Sequence, residues 1–127
     1  MASSYQDLLV WQKAMELAEE VYRLVKKLPK EETYALSDQM RRSAVSIPSN
    51  IAEGQDRNTN KDFAFFLYVA RGSRAELETQ MLICQKVGYL VESDVTVAMD
   101  LLKEIGKMLT SLISSLKTGN QKLKTKS

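Results

Sequence analysis

The chain has 127 residues, with 18 Lys and Arg against 16 Asp and Glu, one Cys and no His. Its length suits one domain that can bury most of its own apolar surface. The single cysteine excludes an internal disulfide framework. The absence of histidine excludes Ser-His-Asp and Cys-His nucleophile systems, His-containing zinc sites and the Glu-x-x-His di-iron site of helical bundles. Composition therefore predicts an ordinary soluble domain and names no activity.

The small net charge of +2 is unevenly distributed along the chain. Residues 1–104 hold 13 basic and 16 acidic side chains, whereas residues 105–127 hold five lysines and no acid. We therefore expect an acidic body with a basic C-terminal end. Because no signal peptide and no run of about 18 apolar residues is visible, we expect a cytoplasmic protein that does not enter a membrane.

The first half of the chain predicts two helices from the spacing of its apolar residues. One covers about residues 10–28 and stops at Pro29. It has a second apolar stripe, formed by Trp11, Met15, Ala18, Tyr22 and Val25. The next covers about residues 31–54 and contains Pro48. Either it bends there or two shorter helices meet; the apolar spacing keeps its phase across the proline, which favours a kinked helix.

The third predicted helix has more apolar surface than a monomeric bundle needs. It opens at Thr59 with Asp62 as a capping pair, runs at core spacing from Phe63 to Cys84, and closes at Gly88. Its second face consists of Phe65, Tyr68, Val69, Gly72, Thr79 and Leu82. Burial against another subunit is the natural explanation, so these residues are the candidate oligomer interface. Cys84 falls on the core stripe, which predicts an inert buried thiol.

A fourth helix is capped at residues 92–94 and keeps an apolar heptad rhythm from Val95 to Leu116. Residues 117–127 have no apolar period, which predicts a bundle domain over 1–116 and a basic, disordered tail over 117–127. Helices of roughly 20 residues span about 30 Å, and short loops force antiparallel neighbours. The predicted fold is therefore an all-α, antiparallel, up-down-up-down four-helix bundle.

Three segments resemble a known family. They are residues 9–14 (LVWQKA), residues 34–54 (YALSDQMRRSAVSIPSNIAEG) and the pattern within residues 66–77 (FL, ARGS and AEL). The resemblance is to the four-helix-bundle proteins encoded in intervening sequences of bacterial 23S ribosomal RNA genes, and it covers about residues 5–116. The chain has Ser43 where the family often has alanine, which is a small departure from the pattern.

This resemblance implies a homo-oligomer, most simply a barrel-shaped pentamer. It also implies kinship with the accessory proteins of diversity-generating retroelements, which are similar bundles that bind nucleic acid and associate with a reverse transcriptase. The family has no known catalytic residues, so the resemblance implies no catalytic residue, cofactor or metal ligand in this chain.

Two groups of basic residues are candidates for binding nucleic acid. The middle of the chain contributes Arg41, Arg42, Arg57, Lys61, Arg71 and Arg74, and the C-terminal end contributes Lys117, Lys122, Lys124 and Lys126. The planar guanidinium of arginine suits phosphate recognition, and an oligomer would repeat each weak contact. The alternative is that the arginines pair with Glu53, Glu76 and Glu78 or simply face solvent.

The leading hypothesis is a non-enzymatic, oligomeric protein that binds RNA or an RNA–protein complex. The alternative is a protein-interaction scaffold or an accessory subunit, for example of a reverse transcriptase, without nucleic-acid specificity of its own; an enzyme is the weakest reading.

A polar strip on the second helix consists of Arg42, Ser46, Ser49, Asn50 and Glu53. It is either a ligand or partner surface or, as we favour, a set of groups that satisfies the carbonyl freed by the proline and caps adjacent helix ends.

Overall fold

The computed structural model describes residues 4–118, and that part of the chain contains helices and no strands. The four helices are α1 (Leu9–Leu24), α2 (Leu36–Gln55), α3 (Asn60–Lys86) and α4 (Glu92–Lys117). Short 3₁₀ turns precede α1 and link α1 to α2; they are Tyr5–Asp7, Val25–Lys27 and Lys30–Glu32. The all-α class and the helix count are confirmed. Residues 119–127, where most of the disordered tail was predicted, lie outside the described residues.

The helices pack in a closed cycle around one core. α1 packs against α2 and α4, and α3 packs against the same two helices, so α1 and α3 lie at opposite corners. All four contribute large, fully buried side chains, among them Leu17, Leu24, Met40, Ile47, Ile51, Leu67, Leu77, Met81, Leu102, Ile105 and Leu109. Burying each such side chain contributes about 1.5–3 kcal/mol. This shared core fixes which side of each helix faces outward.

The α1–α2 link differs from the sequence-based prediction. α2 begins at Leu36, not at Glu31, because residues 30–32 form a 3₁₀ turn. Glu32 caps α2 from this turn, since the Leu36 N–H donates to the Glu32 carboxylate at 3.3 Å. The Tyr89 hydroxyl donates to the same carboxylate at 2.9 Å, which ties the α3–α4 loop to this link and raises the pKa of Tyr89.

Pro48 lies inside a continuous helix, so the alternative of two shorter helices is wrong. Neighbouring polar side chains bond to the backbone and to each other, although these bonds do not reach the carbonyl that the proline frees. Asn50 donates through Nδ2 to the Ser46 carbonyl at 2.8 Å, and the Ser46 hydroxyl lies 2.8 Å from that of Ser73 on α3. Asn50 thus bonds the carbonyl four residues before it, whereas the carbonyl that loses its donor to proline belongs to Ala44.

The predicted helix stopped at residue 54, whereas α2 continues to Gln55, so Gly54 does not end the helix. It is instead a point of close approach between α2 and α3. A β-carbon built at Gly54 would lie 2.8 Å from the Phe66 β-carbon and 3.0 Å from the Phe63 ring. Gly88 does close α3 as predicted, with a φ of 89° that glycine adopts without steric cost.

Cys84 is fully buried on the core side of α3, as predicted. Its sulfur lies 3.6 Å from that of Met40. Burial, with a smaller contribution from the Glu32 charge, raises the pKa of the Cys84 thiol to about 11. A thiol in this environment remains protonated at neutral pH and is a packing group rather than a nucleophile.

The two alanine variants Gly54→Ala and Gly72→Ala should change stability in opposite directions. Both gain about 1 kcal/mol of helix propensity. At Gly54 this gain is outweighed by overpacking against the Phe66 β-carbon, which is held by its backbone and cannot move aside, at a cost of about 1–3 kcal/mol. At Gly72 nothing lies within 4 Å of the added β-carbon, so the gain is kept. Urea unfolding at equal protein concentration measures both; equal stabilisation by the two variants would contradict close packing at Gly54.

Candidate nucleic-acid interface

Arg41 and Arg42 lie in the second turn of α2 and share one carboxylate. The Arg42 Nε lies 3.0 Å from Asp38, and Arg41 lies 3.9 Å from the same side chain. Arg41 also donates to the Thr33 carbonyl at 3.2 Å. The Arg41 side chain is 27% exposed, whereas the Arg42 side chain is 80% exposed. Arg41 is therefore mainly a brace for the α1–α2 link, and Arg42 is the accessible member of the pair.

Arg57 and Lys61 lie around the α2–α3 loop. Arg57 pairs with Glu53 at 2.7 Å, as the alternative reading of the arginines supposed, and its guanidinium stacks 4.8 Å above the Phe66 ring. Lys61 is exposed in the first turn of α3 and makes no ion pair within residues 4–118. Of the two, only Lys61 presents a charge that no neighbouring acid offsets.

Arg71 and Arg74 line an open groove of about 1060 Å³ between α3 and α4. Its other charged lining residues are Lys103 and Lys107 from α4 and the acids Glu78 and Asp100. Its hydroxyl groups come from Thr110, Ser111, Ser114, Ser115 and Thr118. Four basic side chains against two acids, together with five hydroxyls, give this groove the composition of a surface for phosphate groups.

Arg71 is held at one end of the groove by contacts from both helices. It donates through Nη1 to the Thr110 hydroxyl at 3.2 Å, and its guanidinium lies 5.0 Å from the centre of the Tyr68 ring. Lys117 donates to the Tyr68 hydroxyl at 3.0 Å and lies 5.7 Å from the same ring centre. Two cations therefore meet at Tyr68, and their charges have no acid partner among the described residues.

Arg74 crosses from α3 to the backbone of α4. Its Nη1 donates to the Leu102 carbonyl at 3.1 Å and lies 3.5 Å from Glu78. A β-carbon at Gly106 would lie 3.0 Å from the Arg74 Nε, so the absence of a side chain at Gly106 makes room for the guanidinium. With its side chain only 20% exposed, Arg74 joins the helices more than it offers charge to a ligand.

The candidate arginines thus separate into three places: the start of α2, the α2–α3 loop and the α3–α4 groove. Sequence reasoning missed Lys103 and the hydroxyl residues of α4, and it counted Lys107 only as part of the basic end. Their signal is the spacing of polar positions on α4, which recur in steps of three and four between the buried residues. Lys122, Lys124 and Lys126 lie outside the described residues.

The candidate oligomer interface on α3 faces outward. Phe65 is 59% exposed, and Tyr68, Val69 and Leu82 are between 37% and 46% exposed. Gly72 and Thr79 are exposed as well. Tyr68 lies toward the groove through its contacts with Arg71 and Lys117. Ile83, 43% exposed, was not among the candidates, although it continues the spacing of Phe65, Val69, Gly72 and Thr79.

Within residues 4–118 no three His, Cys, Asp or Glu side chains are grouped closely enough to hold a metal ion. No helix in that part of the chain combines the length and the apolar character needed to cross a bilayer.

The fold has a solved relative. A protein of unknown function from the S23 ribosomal protein family of Bacteroides thetaiotaomicron VPI-5482, determined at 1.70 Å, is similar to this chain with a TM-score of 0.77 and 28% sequence identity. The similarity covers 83% of this chain and 98% of that one. No curated protein sequence matches the chain. The family described as 23S rRNA-intervening sequence protein matches residues 6–111. With most of its bundle matched, this chain belongs to the 23S rRNA-intervening sequence protein family.

Proposed function

We propose that this chain is a non-enzymatic subunit of a cytoplasmic homo-oligomer that binds nucleic acid, with RNA as its natural ligand. The observation that carries the proposal is the α3–α4 groove, where basic and hydroxyl side chains outnumber acids. Such side chains make most protein contacts to the sugar–phosphate backbone. Membership of a family described by ribosomal RNA intervening sequences favours RNA over DNA.

The oligomer follows from apolar surface on two opposite corners of the subunit. α3 exposes Phe65, Val69 and Ile83 around Gly72. α1 exposes Met15 and Tyr22 from its second stripe, with side chains 45% and 46% accessible. Since α1 and α3 are not neighbours, α3 of one copy can cover α1 of the next. Head-to-tail contacts of this kind close into a ring when the rotation between successive copies is a whole fraction of a turn, and we propose the fivefold ring that the sequence resemblance implies.

The helix directions and the bend in α2 are part of the same proposal. Lys27, just after α1, lies 3.2 Å from Asp94 in the first turn of α4, which supports opposite directions for these two helices. Gly54 near the end of α2 faces Phe66 near the start of α3, which supports the same relation for that pair. We propose that α2 bends at Pro48, since the proline ring crowds the Ala44 carbonyl.

A second candidate, the protein scaffold or accessory subunit, is favoured by exposed apolar residues at one end of the bundle. Tyr34 is 94% exposed in the α1–α2 link, and Val87 and Val91 are 57% and 60% exposed in and beside the α3–α4 loop. The hydrogen bond between Tyr89 and Glu32 joins these two connections. An aromatic ring presented to solvent in this way is a common anchor in protein interfaces.

RNA binding should be strongly dependent on salt. We expect the full chain to retain a labelled single-stranded RNA in filter-binding titrations at low salt. The logarithm of the binding constant should fall linearly with that of the salt concentration, by about 0.7 for each phosphate contacted. Absence of retention at about 25 mM salt, or an affinity that does not change with salt, would contradict an electrostatic RNA-binding function.

Gly72→Arg should disrupt the oligomer and leave the subunit folded. A side chain at this position meets nothing within its own subunit, so the fold should gain up to about 1 kcal/mol of helix propensity. Light scattering at micromolar concentration should show the wild type as an oligomer and the variant as a smaller species; Gly72→Ala, which adds only a methyl group, is the control. A wild-type monomer would refute the oligomer, and an unchanged Gly72→Arg oligomer would exclude this face.

A pull-down from lysate separates the two candidate functions. If nucleic acid is the ligand, nuclease treatment should release the captured proteins, because RNA bridges them. Tyr34→Ser should leave capture unchanged, since it removes no charge from the groove. Protein capture that survives nuclease and is lost in Tyr34→Ser would favour the scaffold.

A further inference from the structure

We propose that the α3–α4 groove binds one strand of RNA lengthwise, with its phosphates against α4 and its bases turned away from the protein. This inference rests on the RNA binding proposed above and adds the site and the manner of binding. It is argued from the free charges of the groove, the spacing of the polar groups on α4 and the absence of a free aromatic ring.

The free charge of the groove is positive. Lys103 and Lys107 are exposed on α4 and make no ion pair within the described part of the chain. Arg71 faces them from α3 with a hydroxyl rather than a carboxylate as its partner. Of the two acids in the lining, Glu78 is already held by Arg74. Three cations therefore face Asp100 alone.

The polar groups of α4 form a straight row. Lys103, Lys107, Thr110 and Ser114 follow one another in steps of four, three and four residues, so they lie on one side of the helix. At a rise of 1.5 Å per residue the row is about 16 Å long. The Thr110 hydroxyl accepts from Arg71 and keeps its own proton for a second acceptor. A linear series of donors matches a linear polyanion better than a compact ligand.

Recognition of bases is disfavoured at this surface. Tyr68, the aromatic residue beside the groove, already has Arg71 and Lys117 near its ring. Proteins that bind single strands through bases need accessible aromatic faces for stacking. Binding in the groove should therefore depend on charge and backbone, and should not depend on sequence.

Other basic residues of the chain are weaker candidates for the strand. Arg42 and Arg57 lie 3.0 Å and 2.7 Å from carboxylates, so a phosphate would have to displace those partners. Lys26 and Lys30 are exposed without ion pairs in residues 4–118, but they are not among the groove residues. They supply a control with the same change in charge.

The test compares Lys103→Gln/Lys107→Gln with Lys26→Gln/Lys30→Gln in the full chain. The probe is a single-stranded RNA of about 20 nucleotides, titrated across salt. Loss of two phosphate contacts should reduce the salt slope by about 1.4 and weaken binding about tenfold or more for the groove variant. The control should bind like the wild type, and both variants should unfold like it in urea. Equal weakening by the two variants would overturn the groove as the site.

A second variant, Thr110→Val/Ser114→Ala, tests the row without changing charge. We expect a several-fold loss of affinity with an unchanged salt slope, because hydrogen bonds are lost and no phosphate charge is released. Unchanged affinity would overturn the lengthwise strand.

A comparison of base sequences completes the design. Single strands of different base sequence should bind equally, because the bases face away from the protein; a strong sequence preference would overturn the inference. If the wild type fails to bind RNA at all, the proposed function itself is wrong. If it binds and the groove variants are unaffected, only the assignment of the site is wrong.

Discussion

Burial of one stripe of α3 is the constraint on which the rest of the molecule depends. This helix has 27 residues, and its stripe from Phe63 to Cys84 packs into the core against α2 and α4. With 3.6 residues per turn, fixing that stripe fixes the direction of every other side chain on the helix. Arg71 and Arg74 are thereby turned toward α4, and the apolar residues around Gly72 are turned toward solvent. Burial of this one face of α3 therefore places both the basic groove and the surface proposed for assembly.

Small residues decide how closely the neighbouring helices approach α3. Gly54 lets the backbone of α2 come near Phe66, and Gly106 gives the Arg74 guanidinium room beside α4. The missing side chains at these two glycines have different consequences. The first contact is apolar and stabilises the core, whereas the second directs an arginine to a backbone carbonyl. A third small residue, Gly72, faces open space within the subunit, so its lack of a side chain has no explanation in the fold of one chain.

The basic residues that share a surface of the folded subunit are not the ones that lie close together in the sequence. The arginines that crowd the middle of the chain separate because α2 and α3 project them from different turns, and several find carboxylates nearby, as Arg57 does with Glu53. Lys103 and Lys107, more than 25 positions after Arg74, join the groove because α4 packs beside α3. The unpaired lysines can contact a ligand without first giving up a carboxylate partner.

Periodicity in the sequence determined the number of helices, their buried stripes, the buried cysteine and the turn at Gly88, because these depend on residues close together in the chain. It placed the start of α2 too early, since Glu32 caps the helix from a separate 3₁₀ turn. It also misjudged Gly54, whose reason is a phenylalanine on another helix. Only the tertiary structure decided which basic residues share a surface. That grouping depends on the packing of α3 against α4, and the periodicity of one helix does not say which other helix lies beside it.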